Sequence, residues 1–223
     1  MNEQAALTRA GLAPDGPQTG RPTRETALRR QEALLERALE MFSQGGFELT
    51  TIDAIATSLN MTKRTIYARY KDKGALFEAA VKRAIDRWYI PIEVLRQADT
   101  GDLAATLSAI ARIRVGNNLS PEGQRLQRIV TTEAHRFPQV YEKYESVSQA
   151  AINYVAELLR KYGERERGAW FDDPELAASA FLTIVNTPAR LKLLFDRTTP
   201  AAEVDAFIDK AVRLFLDGVR PRG

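Results

Sequence analysis

The chain has 223 residues, is 44% hydrophobic and 27% charged, and carries no cysteine and one histidine, His135. A chain of this length buries a core without metal or disulfide staples. Its composition excludes disulfides, thiolate zinc sites, iron–sulfur clusters, cysteine nucleophiles and multi-histidine metal sites, and leaves a Ser-His-Asp triad only His135 to draw on. No apolar run reaches the roughly 18 residues of a membrane span. Pro14, Gly16 and Pro17 stand where a signal peptide needs an apolar stretch, so a cytoplasmic location is expected.

Net charge is +3, and the whole excess lies in residues 1–90; residues 91–223 carry 18 basic and 18 acidic side chains. Lys63, Arg64, Arg69, Lys71 and Lys73 face one acid, Asp72. Such a compact basic footprint suits a phosphate backbone.

In chain order, residues 1–23 read as a flexible arm without hydrophobic period. Leu28, Leu35, Leu39 and Phe42 recur at helical spacing up to Gly45-Gly46, a C-cap signal. Thr50 or Thr51 caps a short helix with Ile52, Ile55, Ala56 and Leu59 on one face. Asn60-Met61 forms a tight turn, and Thr62 caps the next short helix, running to about Tyr70. Asp72 caps a helix striped by Phe77, Val81, Ala84, Ile85 and Trp88, which Pro91 stops or kinks. Longer helices follow. Leu103, Leu107, Ile110 and Ala111 mark one, and Leu126, Ile129, Val130 and Ala134 the next, after a break at 117–121. Another starts at Pro138 and ends near Gly163; residues 163–173 read as a loop. A helix over 174–194 is interrupted by Pro188, and a last one spans 201–218. The expected fold is all-α, with about nine helices.

The two short helices, 51–58 and 62–70, outline a helix-turn-helix. A recognition helix presents its N-terminal side chains to base edges, which calls for donors and acceptors there. Thr62, Lys63, Arg64 and Thr65 supply them, and Tyr67 and Arg69 reach flanking phosphates. Lys73 adds an ammonium at the start of the next helix, where the helix terminus already favours an anion. In outline alone, an αα-hairpin with an ordinary basic surface stands level with this reading.

The residues themselves go further. Ala38-Leu39-Glu40-Met41-Phe42, Gly45-Gly46-Phe47, Thr50-Thr51-Ile52, Ile55-Ala56, Met61-Thr62-Lys63-Arg64-Thr65-Ile66-Tyr67, Tyr70 and Lys73-Gly74-Ala75-Leu76-Phe77 together resemble the tetracycline-repressor (TetR) family of bacterial transcriptional regulators. Asn60 replaces the common turn glycine, Arg64 a common small residue, and Gly74 a usual acid. Asn tolerates left-handed geometry, and Arg64 adds a base or phosphate contact. Glu133-Ala134-His135-Arg136-Phe137-Pro138 and Asp172-Asp173-Pro174-Glu175-Leu176-Ala177-Ala178 are similar to the AefR-like C-terminal subgroup.

The resemblance implies double-stranded operator DNA as partner, a homodimer, and a small-molecule effector pocket in the C-terminal domain. The expected division is 1–23 arm, 24–70 helix-turn-helix domain with three helices, and 71–223 connecting helix plus ligand-binding and dimerisation domain. Thr62, Lys63, Arg64 and Thr65 are the base-facing candidates; Thr51, Tyr67, Arg69 and Lys73 are the phosphate candidates. The broad apolar content of helices 174–194 and 201–218 predicts a two-fold dimer through them. The Pro188 interruption and two inward-leaning charges, Arg114 and Glu133, predict a mainly apolar pocket among Ile110, Arg114, Phe137, Tyr141, Phe181 and Ile184. Whether Arg114 and Glu133 pair in the core stays open, as an unpaired buried charge is expensive.

His135 reads as a helix-end hydrogen-bonding residue, and Asp172-Asp173 as helix capping rather than paired catalytic carboxylates. No catalytic residue, metal site or cofactor is expected. The reading is a ligand-responsive DNA-binding regulator, a repressor released by a small apolar effector. The alternatives are a ligand-independent DNA-organising protein and, more remotely, a helical-bundle enzyme.

Overall fold

The computed structural model describes residues 24–165 and 173–219. The arm expected over 1–23, most of the loop expected over 163–173, and Trp170 and Asp172 lie outside the described residues.

Eleven helical segments and no strand occur among the described residues. They are α1 (Arg24–Leu49), α2 (Ile52–Ser58), α3 (Lys63–Tyr67), α4 (Lys73–Trp88), α5 (Ile92–Gln97), α6 (Leu103–Leu119), α7 (Pro121–Glu133), α8 (Pro138–Arg165), α9 (Pro174–Val185), α10 (Thr187–Phe195) and α11 (Ala201–Val219). The all-α reading holds. The additions are short α5, after Pro91 stops α4, and the division of 174–194 into α9 and α10. That division has a local cause. Thr187 Oγ1 donates to the Ile184 carbonyl at 2.7 Å, and Pro188, which lacks an N–H, occupies the first turn of the restarted helix.

The caps are mostly local side-chain chemistry. Thr51 accepts from Ala54 N, Thr62 from Thr65 N, Asp72 from Ala75 N, Asp102 from Ala105 N, Ser120 from Gly123 N and Asp173 from Leu176 N. Thr51 is therefore the cap of α2. Thr50 turns back instead, donating to the Met41 and Gly46 carbonyls at 3.1 and 2.8 Å. Gly46, at φ 74°, breaks the helical path inside α1.

Two cores result. The first joins α1, α2, α3 and α4 through Leu34, Phe42, Ile55, Ile66, Phe77 and Ile85, and draws in Leu126 and Ile129 of α7 and Val140 of α8. The second joins α5, α6, α8, α9 and α11 through residues such as Leu107, Ile110, Val155, Phe181 and Phe215. An aromatic cluster closes the first core. Phe77 packs on Phe42 and Phe137 with ring centres 5.1 and 4.4 Å apart, and Phe47 lies 4.9 Å from Phe137.

Charge reinforces the junction of α1, α4 and α7. Glu36 of α1 receives Arg83 at 3.3 Å and Arg87 at 3.5 Å from α4, and Arg125 at 3.7 Å from α7. This network borders a cleft of about 770 Å³ that also reaches Trp88 and Asn117.

Candidate nucleic-acid interface

The helix-turn-helix is built from its buried side outward. Ile55 and Ile66 are fully buried, so α2 and α3 are each pinned by one apolar face. Asn60 takes φ 51° in the connecting turn, the left-handed geometry its short polar side chain tolerates. Tyr70 is buried behind α3, and Gln31 of α1 donates to its hydroxyl at 3.4 Å. The helix is short, but its register is set by Ile66 inside and Thr62 at the cap.

The opposite face is polar and open. Thr62, Lys63, Arg64, Thr65, Tyr67 and Arg69 are all exposed, as is Thr51 at the start of α2. Thr62 and Thr65 bond to each other through their hydroxyls at 2.9 Å. Lys63 reaches Asp53 on α2 at 2.6 Å. An exposed pair of that kind contributes about 0–1 kcal/mol, so a phosphate or base displaces it at little cost. Arg64 has no ion pair or side-chain hydrogen bond among the described residues. Arg69 donates to Gln31 Oε1 at 3.0 Å. A groove of about 570 Å³ runs beside this face, lined by Arg30 and Gln31 of α1 together with Thr62, Thr65 and Arg69. Sequence reading missed Arg30 and Gln31. The basic Arg29-Arg30 pair was the available signal, but only folding lays α1 alongside α3.

Lys73 stands apart from the other candidates. Its ammonium donates to the Phe47 and Glu48 carbonyls at 2.8 and 3.2 Å, at the end of α1. These two acceptors give the ammonium a capping role at the end of α1.

The six residues expected to line an effector pocket do not converge. Phe137 belongs to the aromatic cluster of the first core. Ile110 and Phe181 are fully buried in the second core, with Phe181 5.2 Å from Phe215. Tyr141 is 47% exposed and Ile184 37% exposed. Arg114 lines a narrow cavity shared with Trp88, Leu95 and Val147. The group divides because Phe137, just before α8, packs against the first core, whereas Ile110 of α6 and Phe181 of α9 pack in the second. Arg114 and Glu133 do not pair either. Glu133 Oε1 accepts from Phe47 N at 3.4 Å, and its other oxygen lies 3.9 Å from Arg136. His135, at the end of α7, is exposed. Among the described residues no cluster of acids and histidine fits a metal ion.

A capped, exposed polar helix carried on a buried three-helix scaffold, backed by a separate helical core, defines a helix-turn-helix regulator. Residues 34–80 match the family described as bacterial regulatory proteins, tetR family, and residues 105–218 match the AefR-like transcriptional repressor C-terminal domain. The chain belongs to the TetR family of DNA-binding transcriptional regulators. It is 22% identical to the HTH-type transcriptional regulator RutR of Escherichia coli K12, over 92% of this chain and 96% of RutR. A TetR-family regulator from Mesorhizobium loti superposes with a TM-score of 0.70 at 21% identity, covering 90% of this chain and all of that one. The flavonoid-responsive regulator FrrA superposes at 0.61 with 26% identity, covering 87% and 99%. No helix among the described residues is long and apolar enough to cross a membrane.

Proposed function

We propose that this chain acts as a homodimeric repressor, binding a two-fold operator and leaving it when a small effector occupies the C-terminal domain. The observation that carries the reading is the exposed Thr62–Thr65 face of α3 above the buried Ile66. Residues 24–70 read DNA, and 71–223 connect, dimerise and respond. Thr62, Lys63, Arg64 and Thr65 meet base edges, and Thr51, Tyr67 and Arg69 meet phosphates. The protein works in the cytoplasm and performs no catalysis.

Dimerisation is supported by apolar side chains left on the last helices. Leu194, Phe195 and Leu214 are 55%, 71% and 69% exposed, and Leu176 of α9 is 67% exposed. Exposed apolar side chains of this size on the last helices suit a second copy related by a two-fold axis. Effector release is supported by the AefR-like repressor domain and by the flavonoid response named for FrrA. A ligand shifts the equilibrium only by its differential affinity for the two dimer geometries.

Genome-wide mapping of bound sites tests the whole reading. A palindromic operator should emerge, with neighbouring genes that rise when the protein is deleted. Light scattering should give twice the 24.9 kDa chain mass, and Phe195→Glu or Leu214→Glu should yield monomers that lose operator binding. Scattered binding without a motif, or a monomer at micromolar concentration, refutes it.

A further inference from the structure

On the side of α1 that faces α4 and α7, Glu36 holds three arginines and Glu32 lies 3.8 Å from one of them, Arg83. The side that faces α3 is built differently. The groove there carries Arg30 and Arg69, and no carboxylate lines it. Neither arginine has an ion pair among the described residues.

Arg69 follows α3. Its N–H donates to the Ile66 carbonyl at 3.0 Å, which ties its backbone to the buried Ile66. Its side chain is exposed and donates through Nη1 to Gln31 Oε1 at 3.0 Å. The Gln31 amide nitrogen in turn donates to the hydroxyl of buried Tyr70 at 3.4 Å. A guanidinium carries several N–H donors, and Gln31 engages only one of its nitrogens. Nε and Nη2 have no protein partner among the described residues. The edge they form suits the parallel pair of bonds an arginine makes to a phosphate.

A carboxylate in place of Gln31 would also orient Arg69, but it would cancel the charge that attracts a phosphate. A neutral amide orients without cancelling. Ordering the side chain beforehand removes part of the rotamer entropy that binding otherwise costs. We propose that Gln31 is a positioning residue for DNA binding: its carboxamide, braced by Tyr70, holds the Arg69 guanidinium for a bidentate contact with one DNA phosphate. This rests on the DNA-binding reading above and extends it from α3 onto α1.

The test titrates the full chain onto a random-sequence duplex at several salt concentrations, since phosphate contacts carry no sequence information. Arg69→Ala should reduce the slope of log affinity against log salt by about 1. Gln31→Met keeps the side-chain length and loses the acceptor. It should weaken binding about threefold in the wild-type background and leave binding unchanged in the Arg69→Ala background. Gln31→Glu should weaken binding further and reproduce the slope of Arg69→Ala, because its carboxylate captures the guanidinium. A contact that merely fastens α1 to α3 would lower the melting temperature of Gln31→Met and leave the two losses additive. Additive losses, or a wild-type slope in Gln31→Glu, overturn the inference. A wild-type slope in Arg69→Ala removes the phosphate contact and the role of Gln31 with it, while duplex binding stands. No duplex binding by the wild-type chain overturns the regulator reading along with the inference.

Discussion

The Lys73 ammonium donates to the Phe47 carbonyl at 2.8 Å and lies 4.3 Å from the centre of the same residue's ring. One cation thus closes the end of α1 and holds α4 against it. The two contacts are charge-assisted and cation–π in kind, together about 1–3 kcal/mol. Lys73→Ala should lower the melting temperature by several degrees. Its operator affinity should keep the wild-type salt slope, whereas loss of a phosphate contact would reduce the slope by about 1. Binding titrations at several salt concentrations, beside a melting curve, separate the two roles.

Arg64 should behave in the opposite way. It is exposed and unpaired, so Arg64→Ala should leave the melting temperature unchanged. If its fork meets a guanine edge, the variant loses about 1–3 kcal/mol on the cognate site and relaxes preference at one position. Titration on operators varied one base pair at a time reads this directly. Uniform weakening across all sequences would place Arg64 on a phosphate instead.

Acid should loosen the turn between α5 and α6. The Asp99 carboxyl receives Lys161 and the Tyr162 hydroxyl, each at 2.6 Å, and the Gly101 N–H at 3.1 Å. These hold it well below the usual carboxylate range, with Lys161 the largest cause. A depressed folded value means the stabilisation is fully present above the unfolded value of about 3.9 and fades as pH falls below it. Asp99→Asn should therefore melt lower than wild type at pH 7, by about 1–3 kcal/mol of stability. The difference should shrink as melting is followed down through pH 4 and below. A gap that stays constant with pH would deny the carboxylate its role.

Gly123 sits in the first turn of α7, where α6 crosses close behind it. A Cβ at Gly123 would overlap the Asn117 carbonyl oxygen and crowd Asn118 at 3.1 Å. Helix propensity alone favours alanine by about 1 kcal/mol. The obstructing atoms are backbone and cannot rotate away, so overpacking wins, costing about 1–3 kcal/mol. Gly123→Ala should melt several degrees lower. Gly116→Ala, where no atom lies within 4 Å, should not.

The helix-turn-helix was readable from sequence because its signals are local. Thr51, Thr62 and Asp72 each cap a helix three residues ahead, and Asn60 supplies the turn within its own backbone. Ile55 and Ile66 announce their buried faces by spacing alone. Caps and spacing act over one helical turn, so no knowledge of distant contacts is needed. Which helices meet is decided by how each one rotates and crosses its neighbours, and a residue's stripe does not say which core it faces. Phe137 and Phe181 were grouped in one pocket, yet one packs on Phe77 and the other on Phe215. Glu133 accepts from Phe47 N, whereas Arg114 lines the narrow cavity beside Trp88. The carbonyls that Lys73 caps are far back in sequence, at Phe47 and Glu48, beyond the reach of local spacing. The bond from Arg69 to Gln31 likewise arises only when folding lays α1 alongside α3. Local hydrogen bonding and periodicity determine the elements; long-range packing, in which one helix turn exchanges half of a contact set, decides the sites between them.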